Sequence, residues 1–362
     1  MNSLKKIKDR IRSVTTTRQM TASMKVVAVS RLKKKHEAFL KTIPYADEMN
    51  RVVRRLVRSM KLKQEALIWQ NKETLVEWPP LLNGNGKDAR YLVVMMTSDE
   101  GLSGVSALQV AMATQKLVGY LKEQGKSVSV VAHGARGGEL FKRLCPDVNI
   151  LRVKSKKTKS ADAYLNAERL SADVMTSFEQ DRFDRCLIVY NQFKSIISQV
   201  PVIEQMIPNT IFLKENPWDF LTEDEKEYVK QNAAGEQKIS LKKSSFLSAI
   251  GGVGVLSSLK GAIFKTNLRG GKRSPEVYDY EPTDEGILRA VLPQYLTAYV
   301  YRVILESEVS DNAARLMAMD NASRNAGEML EKLGRIYRRT RQAKITTDIA
   351  EVSAGATKES RA

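Results

Sequence analysis

Cysteine and histidine are scarce in this chain of 362 residues, and each scarcity removes a class of protein. Two cysteines, Cys145 and Cys186, do not make a disulfide scaffold and read as reduced thiols. No C-x-x-C occurs, and the only histidines, His36 and His133, lie too far apart for a zinc-ligand spacing. No apolar run reaches about 18 residues, which argues against a membrane-spanning helix. The phosphate-binding patterns G-x-G-x-x-G and G-x-x-x-x-G-K-[ST] are both missing. Gly101-Leu102-Ser103-Gly104 is not a nucleophile elbow, because Ser103 is followed directly by Gly104. Asp99 and Glu100 are adjacent carboxylates in a turn, where such pairs more often stabilise the turn than exchange protons. The chain offers no reaction of its own, and neither a cofactor nor a metal is expected.

Proline is missing from long stretches at both ends and glycine from the N-terminal one, and there the absence is constructive. The first proline is Pro44, the first glycine is Gly84, and residues 307–352 contain no proline. In that C-terminal stretch apolar residues recur at helical spacing: Ala313, Leu316, Met317, then Ala326, Met329, Leu330, Leu333, Ile336, Tyr337, then Ile345, Ile349, Val352. A helix of this length rises roughly 70 Å, far beyond the usual range of about 8–20 residues. It is therefore expected to be half of a coiled coil or a protruding shaft. The first 60 residues have the same character. Leu4, Ile7, Ile11 and Val14 step by three and four, a heptad seam. The seam is expected to falter at Arg18 and resume at Met20, Met24, Val27 and Leu32. Two such helices at opposite termini predict an antiparallel hairpin closed by a separately folded middle.

The middle alternates strands and helices. Arg90–Met96, Ser127–Ala132 and Cys186–Tyr190 read as strands, with another within residues 193–206. Helices are expected over Ala107–Gln124, near Glu139–Leu144, and over Asp162–Glu179. The fold class is α/β: an open, Rossmann-like sheet in βαβ order, joined to the terminal coiled coil. Such sheets often bind nucleotides at the carboxyl ends of their strands. The glycines needed for that are absent, and His133-Gly-Ala-Arg-Gly-Gly138 reads by itself as a flexible turn.

Charge is unevenly spread. The net is +18, yet residues 1–63 alone hold 18 Lys and Arg against four acids, whereas residues 284–362 hold 12 basic and 11 acidic residues. A basic rod suits nucleic acid, an anionic membrane or an acidic protein surface. Base stacking is poorly supported, because residues 1–63 contain only Phe39 and Tyr45 as aromatics. A basic α/β nucleic-acid-binding protein is the alternative reading. A nucleotide-dependent enzyme would need a phosphate loop. Periodicity alone leads no further than a helical hairpin with an α/β domain.

Four segments carry a resemblance. TRQMTASMKVVAVSRL (Thr17–Leu32) resembles the N-terminal helix of the γ subunits of F-type ATP synthases, whose pattern is close to T-x-x-I-T-x-A-M-x-M-V-A-A-S-K-L. AARLMAMDNASRNAGEML (Ala313–Leu330) and RQAKITTDIAEV (Arg341–Val352) resemble that family's C-terminal helix. TSDEGLSG (Thr97–Gly104) resembles its T-S-D-R-G-L-C-G turn. The likeness covers residues 1–208 and 278–357. It implies a non-catalytic rotor shaft working with three α and three β subunits, an ε subunit and a membrane c-ring. It also implies contacts to β through Met24, Lys25, Arg315, Arg341, Gln342 and Thr346. The family's helix begins at once with SLKKIKDRI from Ser3. That favours a bacterial type, peripheral on the cytoplasmic face of the plasma membrane, with an organelle-encoded or already processed form as the alternative.

The chain departs from the pattern at Ala22, Glu100 and Ser103. Glu100 reverses the charge of the family's arginine, so no partner is carried over to that turn. The expected organisation is an N-terminal coiled-coil helix at 1–63, the α/β domain at 64–208, a long connection at 209–277 and a C-terminal coiled-coil helix at 278–362. The connection holds a charged helix, Thr222–Gln231, and a glycine-rich apolar patch, Phe246–Phe264. It reads first as a surface-loop insertion, with a membrane-surface or c-ring contact, or a regulatory insert, as the alternatives.

Overall fold

The computed structural model describes residues 2–69, 78–153, 163–209, 212 and 284–359. The expected helix at Thr222–Gln231 and the patch at Phe246–Phe264 lie outside the described residues. Two helices dominate: α1, Asn2–Trp69, with 68 residues, and a C-terminal helix, Asp284–Glu359, with 76. They run antiparallel. Lys25 Nζ meets Asp320 Oδ1 at 2.6 Å, and Lys35 Nζ meets Glu308 Oε2 at 2.6 Å.

The seam of this hairpin differs from the expected one beyond Val14. Leu4, Ile7, Ile11 and Val14 are half-buried, as a seam requires. Burial then passes through Thr21 and Lys25 to Ala28 and Leu32, whereas Met20, Met24 and Val27 are 56%, 39% and 50% exposed. The three-and-four spacing is continuous through Arg18, but polar residues hold three of its positions. Following the nearest apolar residues shifts the reading onto a neighbouring face of the helix. Arg18 itself is exposed, so burial lapses there as expected before it resumes at Thr21. Its guanidinium lies against the C-terminal helix near Gly327, where a Cβ would stand at 3.8 Å, an ordinary contact distance.

Between the helices lie α2 (Pro80–Asn83), β1 (Arg90–Met96), α3 (Ser106–Glu123), β2 (Ser127–His133), α4 (Ala135–Leu144), β3 (Ile150–Val153), α5 (Ala163–Glu179), β4 (Arg185–Phe193) and β5 (Gln199–Ile207). The C-terminal helix is then α6. The sheet order is β3-β2-β1-β4-β5, with β1 to β4 parallel and β5 antiparallel to β4. The short α2 and β3 are additions to the expected elements.

Successive strand residues face opposite sides, so a strand covered on both faces reads as a continuous apolar run. In β1, Tyr91, Val93 and Met95 pack with Val110, Val118 and Leu121 of α3 and Phe141 of α4. Leu92, Val94 and Met96 join Leu170 and Val174 of α5, Val53 and Leu56 of α1, and Leu288 and Val303 of α6 in one core. The bases of the two long helices are therefore also one layer of the α/β domain. Each buried aliphatic side chain contributes about 1.5–3 kcal/mol by leaving water, so the shaft is rooted by apolar burial.

The turn expected at Gly134–Gly138 is instead the start of α4. Asp99 Oδ1 accepts a hydrogen bond from the Ala135 N–H at 2.8 Å and satisfies one of the free donors of that helix end. The carboxylate that does so comes from a distant turn, so nothing local in GARGG announces a helix. Asp99 thereby has the structural role expected of the adjacent carboxylates.

Candidate functional site

In an open parallel sheet the ligand crevice lies where the strand order reverses, outside the carboxyl ends of the strands. Here that point falls between β1 and β4, and side chains of α6 are bonded into it. Asn191 Nδ2 at the end of β4 donates to Ser106 O at 3.1 Å and to Ser106 Oγ at 2.8 Å. Ser106 Oγ donates to Asp311 Oδ1, and Ser310 Oγ donates to the Asn191 carbonyl at 2.8 Å. All four residues are buried. The crevice of a nucleotide-binding sheet has become the joint between shaft and domain. Sequence reasoning missed this joint; its only local trace is a lone carboxylate beside the apolar positions Val309 and Ala313.

Burial pushes the Asp311 carboxyl up to about 6, against the hydrogen bond from Ser106 and the charge of Arg315. The folded pKa lies above the unfolded value, so the native state binds the extra proton. This contribution to stability is full below about pH 4 and is lost as pH rises through about 6. Asp311→Asn keeps the Ser106 bond without a charge. It should match the parent chain in urea unfolding at about pH 4, where the contribution is full, and exceed it at pH 8. A variant less stable at both values would refute this account.

The six residues implied by resemblance fall into two groups. Met24 and Lys25 lie on the shaft close to Asp320, Met24 exposed and Lys25 already held in its ion pair. Arg315 is nearby and buried, with its donors spent inside the chain. Its Nε bonds Gly101 O at 3.3 Å, one Nη bonds Asn312 Oδ1 at 2.8 Å, and the other lies 3.5 Å from Glu100. Glu100 also pairs with Arg31 at 2.6 Å, so the reversed charge has two arginine partners within the chain.

Arg341, Gln342 and Thr346 stand apart, all exposed. The register of Lys25 with Asp320 brings Asn2 roughly level with Ala343. Beyond that point α6 runs on to Glu359 without a facing helix among the described residues, over roughly 24 Å. Ile345, Ile349 and Val352 lie on one face of it and are 46%, 65% and 74% exposed. Periodicity left this stretch as half of a coiled coil or a protruding shaft; among the described residues these three positions protrude without a facing helix. Thr346 Oγ1 bonds only back to the Gln342 carbonyl, at 3.0 Å.

At the root of the shaft Arg302 of α6 is enclosed by acids and phenols. Its Nη atoms lie 3.3 Å from Glu306 and 3.5 Å from Glu204. Tyr190 and Tyr299 donate to Glu204 at 3.0 and 2.5 Å. Burial pushes Glu306 up to about 7, with Arg302 opposing. Among the described residues no group of three His, Cys, Asp or Glu could hold a metal ion, and no helix is long and apolar enough to cross a membrane.

Fold and site together define a stalk protein: a two-helix shaft rooted in an α/β domain whose ligand crevice is closed by the shaft itself. The sequence model of the ATP synthase family matches residues 3–357. The ATP synthase gamma chains of Rhodospirillum rubrum and Paracoccus denitrificans are 33% and 32% identical to this chain over 356 residues, 98% of this chain and 99% of each relative. The central stalk of the Tetrahymena thermophila mitochondrial ATP synthase is 19% identical, with a TM-score of 0.48 over 84% of this chain and 99% of that one. On the sequence matches, the chain belongs to the ATP synthase gamma chain family.

Proposed function

We propose that this chain is the central rotor-stalk γ subunit of a proton-driven F-type ATP synthase. It turns with a membrane c-ring and carries rotation into a hexamer of three α and three β subunits, with ε beside its globular end. The observation that supports this most directly is the overhang of α6. Its apolar face at Ile345, Ile349 and Val352 has no cover within the shaft, which suits a helix end seated in a surrounding sleeve. The basic α1 suits acidic surfaces around it. The shaft is asymmetric, so it presents a different face to each β subunit in turn and biases its nucleotide affinity. The coupling is reciprocal, so hydrolysis drives the shaft backwards. The β subunits do the chemistry, at the cytoplasmic face of a bacterial plasma membrane. Met24, Lys25, Arg341, Gln342 and Thr346 are the proposed β-facing set; Arg315, buried against the Gly101 turn, would act on β only through that turn.

Co-expression with α and β tests the reading. The chain should copurify at one copy per three of each, and alone it should aggregate and show no ATPase activity. A monodisperse monomer that ignores α and β would overturn it.

A second outcome concerns Met24. The residue is exposed, so Met24→Lys should leave assembly intact. A new ion pair to an acidic β surface would hold one rotor angle too strongly, and about 1.4 kcal/mol of extra binding shifts that equilibrium tenfold. Proton pumping per ATP hydrolysed should therefore fall. If assembly fails instead, Met24 is a packing residue and not an interface residue.

A further inference from the structure

Glu100 stands where the family pattern has arginine, and the structure gives that substitution a use. The turn from Thr97 to Gly104 is tied to three elements by groups of fixed geometry. Asp99 caps α4, the Gly101 carbonyl accepts from Arg315 of α6, and Ser106 just beyond the turn bonds Asn191 of β4 and Asp311 of α6. Within the turn, Ser98 Oγ accepts the Glu100 N–H at 3.0 Å and sets the direction of the Glu100 side chain. Gly104 comes close to the shaft, where an added Cβ would meet the Ala318 Cβ at 3.5 Å. None of these contacts reaches α1. Glu100 does so, through Arg31 at 2.6 Å, while lying 3.5 Å from Arg315.

We propose that Glu100 is a positioning residue, clamping the turn to both shaft helices at once through Arg31 and Arg315. It thereby fixes the rotational setting of the α/β domain on the coiled coil. The joint of Ser106, Asn191, Ser310 and Asp311 holds α6 to the sheet by directional bonds, but it does not reach α1. The Arg31 bond to Glu100 at 2.6 Å supplies a directional contact from α1, and the charge of Arg315 at 3.5 Å adds to its hold. Arginine at this position, as in the family pattern, would face two arginines. This chain therefore sets its domain by a contact that the pattern cannot make. Arg31 and Glu100 are 51% and 57% exposed, so the pair adds little to global stability. Its effect is on register.

The inference rests on the rotor reading for its functional consequence but not for its geometry, and two measurements separate them. Spin labels at Val27 and Leu102, both exposed, report the distance between α1 and the turn in the full-length chain at low concentration. Glu100→Arg should broaden that distribution, and Glu100→Arg with Arg31→Glu should narrow it again by restoring the shorter pair with its charges exchanged. An unchanged distribution in Glu100→Arg overturns the clamp whatever the chain assembles with. In the complex with α, β and the membrane sector, Glu100→Arg should lower protons pumped per ATP hydrolysed by about threefold. The double variant should recover at least half of that loss, with the thermal midpoint unmoved in both. A coupling loss that the double variant does not relieve, or that tracks a lowered thermal midpoint, also overturns it. Failure of the parent chain to join α and β would sink the rotor reading and leave the distance test standing.

Discussion

Replacing Gly134 by alanine should destabilise the central domain by about 3–5 kcal/mol. Gly134 has φ +102°, a backbone conformation that side-chain-bearing residues rarely adopt, and a Cβ there would stand 2.1 Å from the Thr97 carbonyl oxygen. That oxygen is backbone at the end of a buried strand and cannot give way. The cost combines the strained dihedral with the clash. The close approach exists because Thr97 N donates to the His133 carbonyl at 2.8 Å, drawing the ends of β1 and β2 together just before α4 begins. Gly119→Ala is the control, since nothing lies within 4 Å of a Cβ there and its position inside α3 favours alanine. Urea unfolding of the two variants should differ widely, Gly119→Ala matching or exceeding the parent chain. Equal midpoints for both would show that the turn yields, contrary to the packing described.

Arg302→Leu should be similarly damaging, at about 3–5 kcal/mol near neutral pH, because it leaves buried acids without their cation. Glu306 is pushed up to about 7 with Arg302 present, and removing the cation raises it further. The folded pKa then lies above the unfolded one by a wider margin. The native state binds the extra proton, so the deficit should be smallest below about pH 5 and grow through pH 7 to 8. Adding Glu306→Gln removes the buried charge and should recover part of the loss at pH 8 while changing little at pH 5. A deficit independent of pH would mean that Arg302 acts through its packing over the Tyr299 ring, 5.5 Å from the ring centre.

These two sites show where local sequence stopped being informative. HGARGG looks like a flexible turn because its helical cap, Asp99, and its steric neighbour, Thr97, come from another strand end. Arg302 and Glu306 look like an ordinary i,i+4 surface pair. Only the sheet behind them, through Glu204 and Tyr190, with Tyr299 of the same helix, turns them into an enclosed cluster.

Two long terminal helices, their antiparallel hairpin and the α/β middle were all readable from residue order, though the C-terminal helix, at 76 residues with Pro293 inside it, is longer than the proline-free run that announced it. They depend on repeating local properties: no proline over long stretches, apolar residues at three-and-four spacing, and short apolar runs between turns. The exact seam was not readable. Thr21 and Lys25 hold seam positions where the apolar spacing pointed to Met20 and Met24, and Lys25 is held there by Asp320 of the facing helix. The exposed face at Ile345, Ile349 and Val352 has the same spacing as a paired one. Only the register of the two helices decided that α1 ends before reaching it. The family was legible in the strings around Met24, Asp320 and Gln342. The joint of Ser106, Asn191 and Asp311 was not, because its members lie far apart in sequence and meet only when α6 closes the crevice between β1 and β4. Periodicity is a local property that one chain segment carries alone, whereas a buried hydrogen bond between distant segments comes into being only in the tertiary fold.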